Sequence, residues 1–456
     1  MGQINRELFS CGADIACLEY HLIHAHSWAD TEQGAFVGYV RAGAGITRQG
    51  GPENCYYLGN GDGHGYRLGN ECDTYIELGY AHTIAHSDDG LIFTGYAMLN
   101  DYSPTSGVGG TPQLAQMFVQ ATGLEALHGA RLWMGERYYG RQDIYSMDLQ
   151  YINLDGVGAG IDRWPVPAGG QLSYAIFKDN DTNNLPVSMS PGIHDSNSAI
   201  RQDVLYRDIP LPKLGTLDVI FGWILPSSPH TETPRHGGYN IHVFEHQHDS
   251  WGWNTIGFQF GVGPGTGRGD PEVFHAATPF TAFASVQDAS APDALCCNRM
   301  GQSGSTLLGS ADRRLRLFEY LILQPNEHVA ASFDMLHQAD QSPVYGGTSS
   351  WDSLGFRPEY IVARHFKLQM EISRDRVTYP GVPVEWLAKY TIAPTFTLGR
   401  GFFDRPELRW YLTYALWNQA AIATINANNN AGSIGISRSD ISTGLQFESW
   451  WGSSWY

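Results

Sequence analysis

Asp143 and Asp148, in "RQDIYSMDLQYINLDG", are of the type and closeness that a glycosidase uses as acid and base. Such enzymes hold two carboxylates across a scissile bond, a separation that spacing along the chain does not establish. "HLIHAHSW" (His21, His24, His26) and "EHQHD" (Glu245, His246, His248) carry metal-binding side chains, but neither has the spacing of a recognised ligand set. No metal and no other cofactor is therefore expected. "GPGTGRG" has the glycines of a phosphate loop without its Gly-Lys-Ser/Thr ending or a following helix, and reads as a turn or loop.

A different set of residues recurs along the chain: large rings that share a strand face with charged or amide groups. Successive side chains of an extended strand point to opposite faces, so residues of one parity belong together. Tyr39 falls with Arg41 in "FVGYVRAG", and Tyr75 with Glu77 in "DTYIELGY". Trp253 falls with Thr255 and Gln259, Phe403 with Arg405 and Arg409, and Trp450 with Gln446 and Glu448. One reading is an aromatic girdle at a membrane interface. The other is a row of rings facing water, where the C–H faces of a sugar stack on rings and its hydroxyls reach the charges. Each such contact must be shallow if solute is to move on.

The elements that would position these rings are short strands. "HFKLQMEIS" sets Phe366, Leu368, Met370 and Ile372 against His365, Lys367, Gln369, Glu371 and Ser373. "ELRWYLTYALW" sets Leu408, Trp410, Leu412, Tyr414 and Leu416 against Arg409, Tyr411 and Thr413. Alternation of this kind suits a soluble sheet with one wet face, or a barrel with lipid outside and water inside. Long polar connections, such as "KDNDTNNLPVSMSPGIHDSNS", alternate with tight turns, as at the two rims of a membrane barrel.

The bulk numbers agree. The 456 residues are 16% charged and 12% aromatic with 53 glycines, a β-rich composition. A formal charge of −18 opposes binding to nucleic acid and attraction to anionic head groups. No apolar run is long enough for a transmembrane helix, which does not bear on barrels. "MGQINRELFSCGAD" lacks the basic start and apolar core of a secretory signal, and reads as the start of a mature form. Cys55 and Cys72 bracket a Gly-rich connection, as a disulfide closing a loop in an oxidising compartment would; Cys11, Cys17, Cys296 and Cys297 show no zinc pattern. The expected organisation is an extension over 1–33, periplasmic or poorly ordered, followed by one β domain over 34–456.

"FVGYVRAGAGITRQGGPENC", "YRLGNECDTYIELGY", "RYYGRQDIYSMDLQYINLDGVGAG", "FFDRPELRWYLTYALW" and "GLQFESWW" together resemble the maltoporin and sucrose-porin family of outer-membrane sugar channels. The matches lie in family order from Gly34 to Trp451, with 165–235 and 265–345 matching poorly. The resemblance implies an all-β fold: an 18-stranded antiparallel transmembrane barrel in the outer membrane of a Gram-negative bacterium, assembled as a homotrimer in outer-membrane lipid. It implies passive diffusion of maltose, maltodextrins or other di- and oligosaccharides, sucrose included, past a third loop folded inward around Tyr138–Gly160. The family's aromatic slide falls on Tyr39, Tyr75, Tyr102, Trp253, Phe403 and Trp450, with Tyr102 projecting into the adjacent channel's mouth. Its polar track falls on Arg41, Arg67, Glu77, Arg141, Asp143 and Asp148, and its first-loop disulfide on Cys55 and Cys72.

Departures lie at the constriction. Gln150 stands where maltoporins carry a tyrosine and Asn153 where they carry an aspartate, so a broader substrate range is expected. An arginine of the second loop falls on Ala115. The alternative reading is a soluble β-rich carbohydrate-binding protein or glycoside hydrolase, which explains rings and carboxylates but not an apolar face balanced by a charged one.

Overall fold

The computed structural model describes residues 34–58, 65–103, 111–179, 199–227, 235–268, 300–304, 306, 308–343, 346–427, 429 and 434–452. The expectations placed on 1–33 and its histidines, on Cys11, Cys17, Cys296 and Cys297, and on the tail beyond Gly452 lie outside these residues.

Alternating side chains give most strands an apolar and a more polar face, and the structure sorts these faces by closing the sheet. Eighteen strands form one antiparallel sheet in which sequence neighbours pair. The first strand, Ala35–Thr47, pairs with the second, Thr74–His86, and also with the last, Ser439–Trp451, so no edge is left. Closure lets neighbouring strands satisfy one another's backbone groups with no open edge, the condition for crossing hydrocarbon.

The outer face is apolar. On the strand Glu407–Trp417, Leu408, Trp410, Leu412 and Tyr414 are 48%, 59%, 46% and 42% exposed, whereas Arg409 and Thr413 are 0% exposed. On Phe366–Thr378, Met370 and Ile372 face out while Lys367, Gln369 and Glu371 are buried. The inside therefore holds ions and amides where a soluble sandwich would hold a second apolar layer. One rim carries tight turns, such as that between Gly238–Asp249 and Gly252–Val262. Gly252 has φ +153°, and a Cβ there would lie 2.0 Å from the Ile322 carbonyl oxygen. The opposite rim carries the connection between the first two strands, where Cys55 and Cys72 form a disulfide.

Ala115 is corrected by the register. It lies in the strand Gln113–Thr122, where Met98 pairs with Gln116 but Leu99 with Leu114. It is the extra residue of a wall bulge, not a residue of the second loop.

Among the described residues, one connection forms a sheet of its own. Arg131–Arg137 pairs directly with Gly156–Pro165, and the chain between them makes a separate hairpin, Gln142–Ile144 with Leu149–Ile152. This segment turns into the barrel. The Tyr151 ring packs at 4.5 Å from Phe318 and 5.1 Å from Phe244, both on the inner wall. Gln259 donates to the Tyr151 carbonyl (2.6 Å) and Arg201 to the Leu154 carbonyl (2.6 Å). Ser146 donates to Asp334 (2.5 Å), and its carbonyl accepts from the Arg67 backbone N–H (2.9 Å). Backbone that would be unpaired in a void is thus satisfied by wall side chains and by the connection between the first two strands.

Because Leu412 points outward mid-strand, Leu412→Arg should destabilise the barrel by roughly 2–4 kcal/mol. Urea titration of folding into lipid vesicles checks this; a stability equal to wild type would show that the outer face does not meet lipid there.

Candidate functional site

The inner wall gathers rings that are far apart in sequence. Tyr102 and Tyr75 are cross-strand partners with ring centroids 6.4 Å apart. Tyr75 and Tyr39 follow at 6.0 Å, and Tyr39 and Trp450 stack at 6.5 Å with planes 12° apart. Phe403 lies 6.5 Å from Trp450, and Trp253 lies 5.7 Å from Phe403. The row is continuous, and all six rings are half-buried. They are neither outside against lipid nor sealed in a dry core.

Two placements differ from expectation. Phe403 lies in the turn between Glu385–Thr397 and Glu407–Trp417, so strand parity with Arg405 and Arg409 does not position it. The turn folds it inward against Trp450 and Trp253 instead. Tyr102 faces its own barrel, because its register opposite Tyr75 fixes it on the inner face beside that ring rather than projecting it into an adjacent channel.

Ionised groups flank the row. Arg41 pairs with Asp73 (2.5 Å) and Asp148 (2.9 Å), and its guanidinium lies 5.6 Å from the Tyr75 ring. Arg67 donates to the Tyr39 hydroxyl (2.7 Å) and pairs with Glu448 (2.8 Å) and Glu71. The Tyr75 hydroxyl donates to Glu77. Arg141 bonds Asp155 (2.6 Å) and stacks on Tyr138 at 3.2 Å. Gln150 accepts from the Asn153 amide (2.7 Å). Asn153 is fully buried, accepting from the Asp155 backbone N–H (3.0 Å) and the Gln302 amide (3.0 Å), so it braces the segment's base. Asp143 is half-buried and makes no ion pair among the described residues. Burial, reinforced by the neighbouring Asp148, pushes its carboxyl up to about 6.

Sequence reasoning passed over two residues. Glu448 was noted only as a companion of Trp450, yet it is the hub. It accepts from Tyr39 (3.0 Å), Tyr145 (2.5 Å), Arg405 (3.0 Å) and Arg409 (2.5 Å), besides Arg67. Tyr145, at the tip of the inward hairpin, meets Phe403 at 5.5 Å and Trp450 at 6.1 Å, both edge-on. It opens the turn that follows Gln142–Ile144, where no strand parity could single it out. The weaker constellations fall apart: Glu245 and His246 alternate across the strand Gly238–Asp249, and His246 turns to Thr255 (3.1 Å). Among the described residues no cluster could hold a metal ion. "GPGTGRG" is a short 3-10 turn, Gly263–Thr266, after a barrel strand.

A closed barrel with an apolar exterior and an ionised, ring-lined interior defines a porin, an outer-membrane channel rather than an enzyme. A family model described as LamB porin matches residues 35–451, and the chain belongs to that family. The chain is similar to a solved BenF-like porin from Pseudomonas fluorescens Pf-5, at 10% identity over 92% of this chain and 99% of that one, with TM-score 0.49. It is similar to OccK1 (OpdK) of Pseudomonas aeruginosa at 8% identity, over 92% and 99% of the two chains, with TM-score 0.46. OmpT of Vibrio cholerae in its trimer form matches at 10% identity over 92% and 100%, with TM-score 0.41.

Two outcomes follow from the charges. Glu448→Gln leaves Arg67, Arg405 and Arg409 without their shared anion, which should cost roughly 3–5 kcal/mol of stability and move the reversal potential in a KCl gradient toward anion preference. An unchanged reversal potential would remove Glu448 from the ion path. Asp143, raised in the folded protein, is charged above about pH 6 and neutral below it. Cation preference should therefore fall between pH 7.5 and 5 in wild type and fall less in Asp143→Asn; identical pH profiles would count against it.

Proposed function

We propose that the protein is a channel for facilitated passive diffusion of maltodextrins and other di- and oligosaccharides, assembled as a homotrimer. The observation that carries this reading is the unbroken row Tyr102–Tyr75–Tyr39–Trp450–Phe403–Trp253 with ionised groups beside it. A pyranose has two apolar faces and a polar rim, and moves along such a row by exchanging one ring for the next at 5.7–6.5 Å spacing. Gln150, at the position of the maltoporin constriction tyrosine, has a flexible amide in place of a ring, which supports a range wider than maltodextrins, sucrose included. The inward hairpin serves as the constriction. Membership of the LamB porin family supports the reading independently.

Planar-bilayer recording with maltose, maltotriose and sucrose tests the proposal. Each sugar should block the ion current in a saturable way. Loss of a ring contact worth about 1 kcal/mol in Trp450→Ala should raise the half-blocking concentration several-fold while the pore still conducts ions. A current insensitive to all three sugars would overturn the assignment. The trimer is checked by SDS gels, where unheated protein should migrate as a trimer and boiled protein as a monomer.

A further inference from the structure

Tyr145 occupies the place on the slide that a solute would need. The residue opens the short turn Tyr145–Met147 at the hairpin tip and is only 6% exposed. Its ring edge rests against Phe403, Trp450 and Phe402, with centroids at 5.5, 6.1 and 6.3 Å and planes 75–83° apart. The guanidinium groups of Arg67, Arg405 and Arg357 lie 4.6, 5.2 and 5.4 Å from that ring. Its hydroxyl donates to Glu448 (2.5 Å) and accepts from Arg409 (3.0 Å) and from Arg405, which uses its full capacity.

Apolar surfaces in contact stand ~3.5–4.0 Å apart, so a sugar layered between two rings needs ~7–8 Å between them. Edge-on contact at 5.5–6.1 Å leaves no such layer. The polar groups on the Tyr145 hydroxyl are also those that a sugar hydroxyl stacked on Trp450 would reach. An apolar body on the rings and one hydroxyl on the carboxylate–guanidinium pair is the chemistry of a bound saccharide.

We propose that Tyr145 is a built-in, displaceable ligand of the Trp450–Phe403 stretch, and that a passing sugar competes with it for the same rings and the same ions. The inference rests on the sugar-channel reading and deepens it. Displacement is a rotation of the side chain, because the next residue, Ser146, is tied to the wall through Asp334 and to the connection between the first two strands through the Arg67 backbone. The hairpin stays and the ring leaves.

The test uses the full chain in planar bilayers, comparing wild type with Tyr145→Ala and Tyr145→Phe. Tyr145→Ala should conduct at least twofold more ions without sugar, and should halve its current at a maltotriose concentration at least threefold lower, its competitor being gone. Tyr145→Phe keeps the ring without the hydroxyl and should fall between the two on both measures. Unchanged conductance and block in Tyr145→Ala would overturn the inference, as would weaker block, which would make Tyr145 a wall for the sugar. If Tyr145→Ala does not assemble into a heat-modifiable barrel, Tyr145→Phe decides, and equality with wild type on both measures overturns it. A wild-type channel indifferent to maltotriose removes the sugar reading itself. A blocked wild type with an unaltered Tyr145→Ala removes only this inference.

Discussion

Everything at the site depends on the seam where the first strand meets the last. Tyr39 pairs across it with Trp450, and Arg41 with Glu448. On its other side the first strand aligns Arg41 with Tyr75 and Tyr39 with Glu77. Residues from the two ends of the chain become one surface because the barrel closes in this register. A slip of one residue in a strand would turn that strand's rings to the lipid side and its outer apolar side chains into the bore. Lipid enforces the choice, since unpaired backbone at a seam in hydrocarbon has no water to satisfy it.

Closure creates an electrostatic problem that the interior solves with itself. Fully buried Lys367 is held by Glu359 (2.8 Å) and Glu407 (2.6 Å), and Arg409 by Glu407 and Glu448 (both 2.5 Å). Ions in this setting are tolerable when each has partners, and strongly destabilising when one partner is removed. Mutual pairing also bears on transport. A solute hydroxyl meets mostly groups that already have a partner, such as Glu448 and Arg67, so there it exchanges one hydrogen bond for another and gains little net free energy. Rings contribute small increments of their own. The result is a series of shallow wells, the condition for throughput in a channel.

How far the sequence disclosed this depends on the kind of residue. Strand alternation was legible because one face meets lipid and the other does not, so "ELRWYLTYALW" sorts as read and "HFKLQMEIS" does from Phe366 onward, His365 lying exposed in the turn before the strand. Tyr39, Tyr75, Trp253 and Trp450 were legible for the same reason. Phe403 was singled out by a parity it does not obey; a turn carries it inward, and turns have no period to read. Tyr145 was illegible because its surroundings come from Arg405, Arg409 and Glu448, brought together only when the hairpin enters the bore. Strands as short as Gln142–Ile144 and Leu149–Ile152 give no alternation to interpret. Asn153 is a loop brace that spacing alone could not separate from a lining residue.

The central claim is that sugar travels on the ring row rather than merely through a wide pore. Cryo-electron microscopy of the reconstituted protein at saturating maltotriose tests it most directly. The account predicts pyranose density lying flat on neighbouring members of Tyr75, Tyr39, Trp450, Phe403 and Trp253, with hydroxyls toward the flanking ions. Sugar density confined to the outer loops, or a bore whose rings stay bare at saturation, would contradict it.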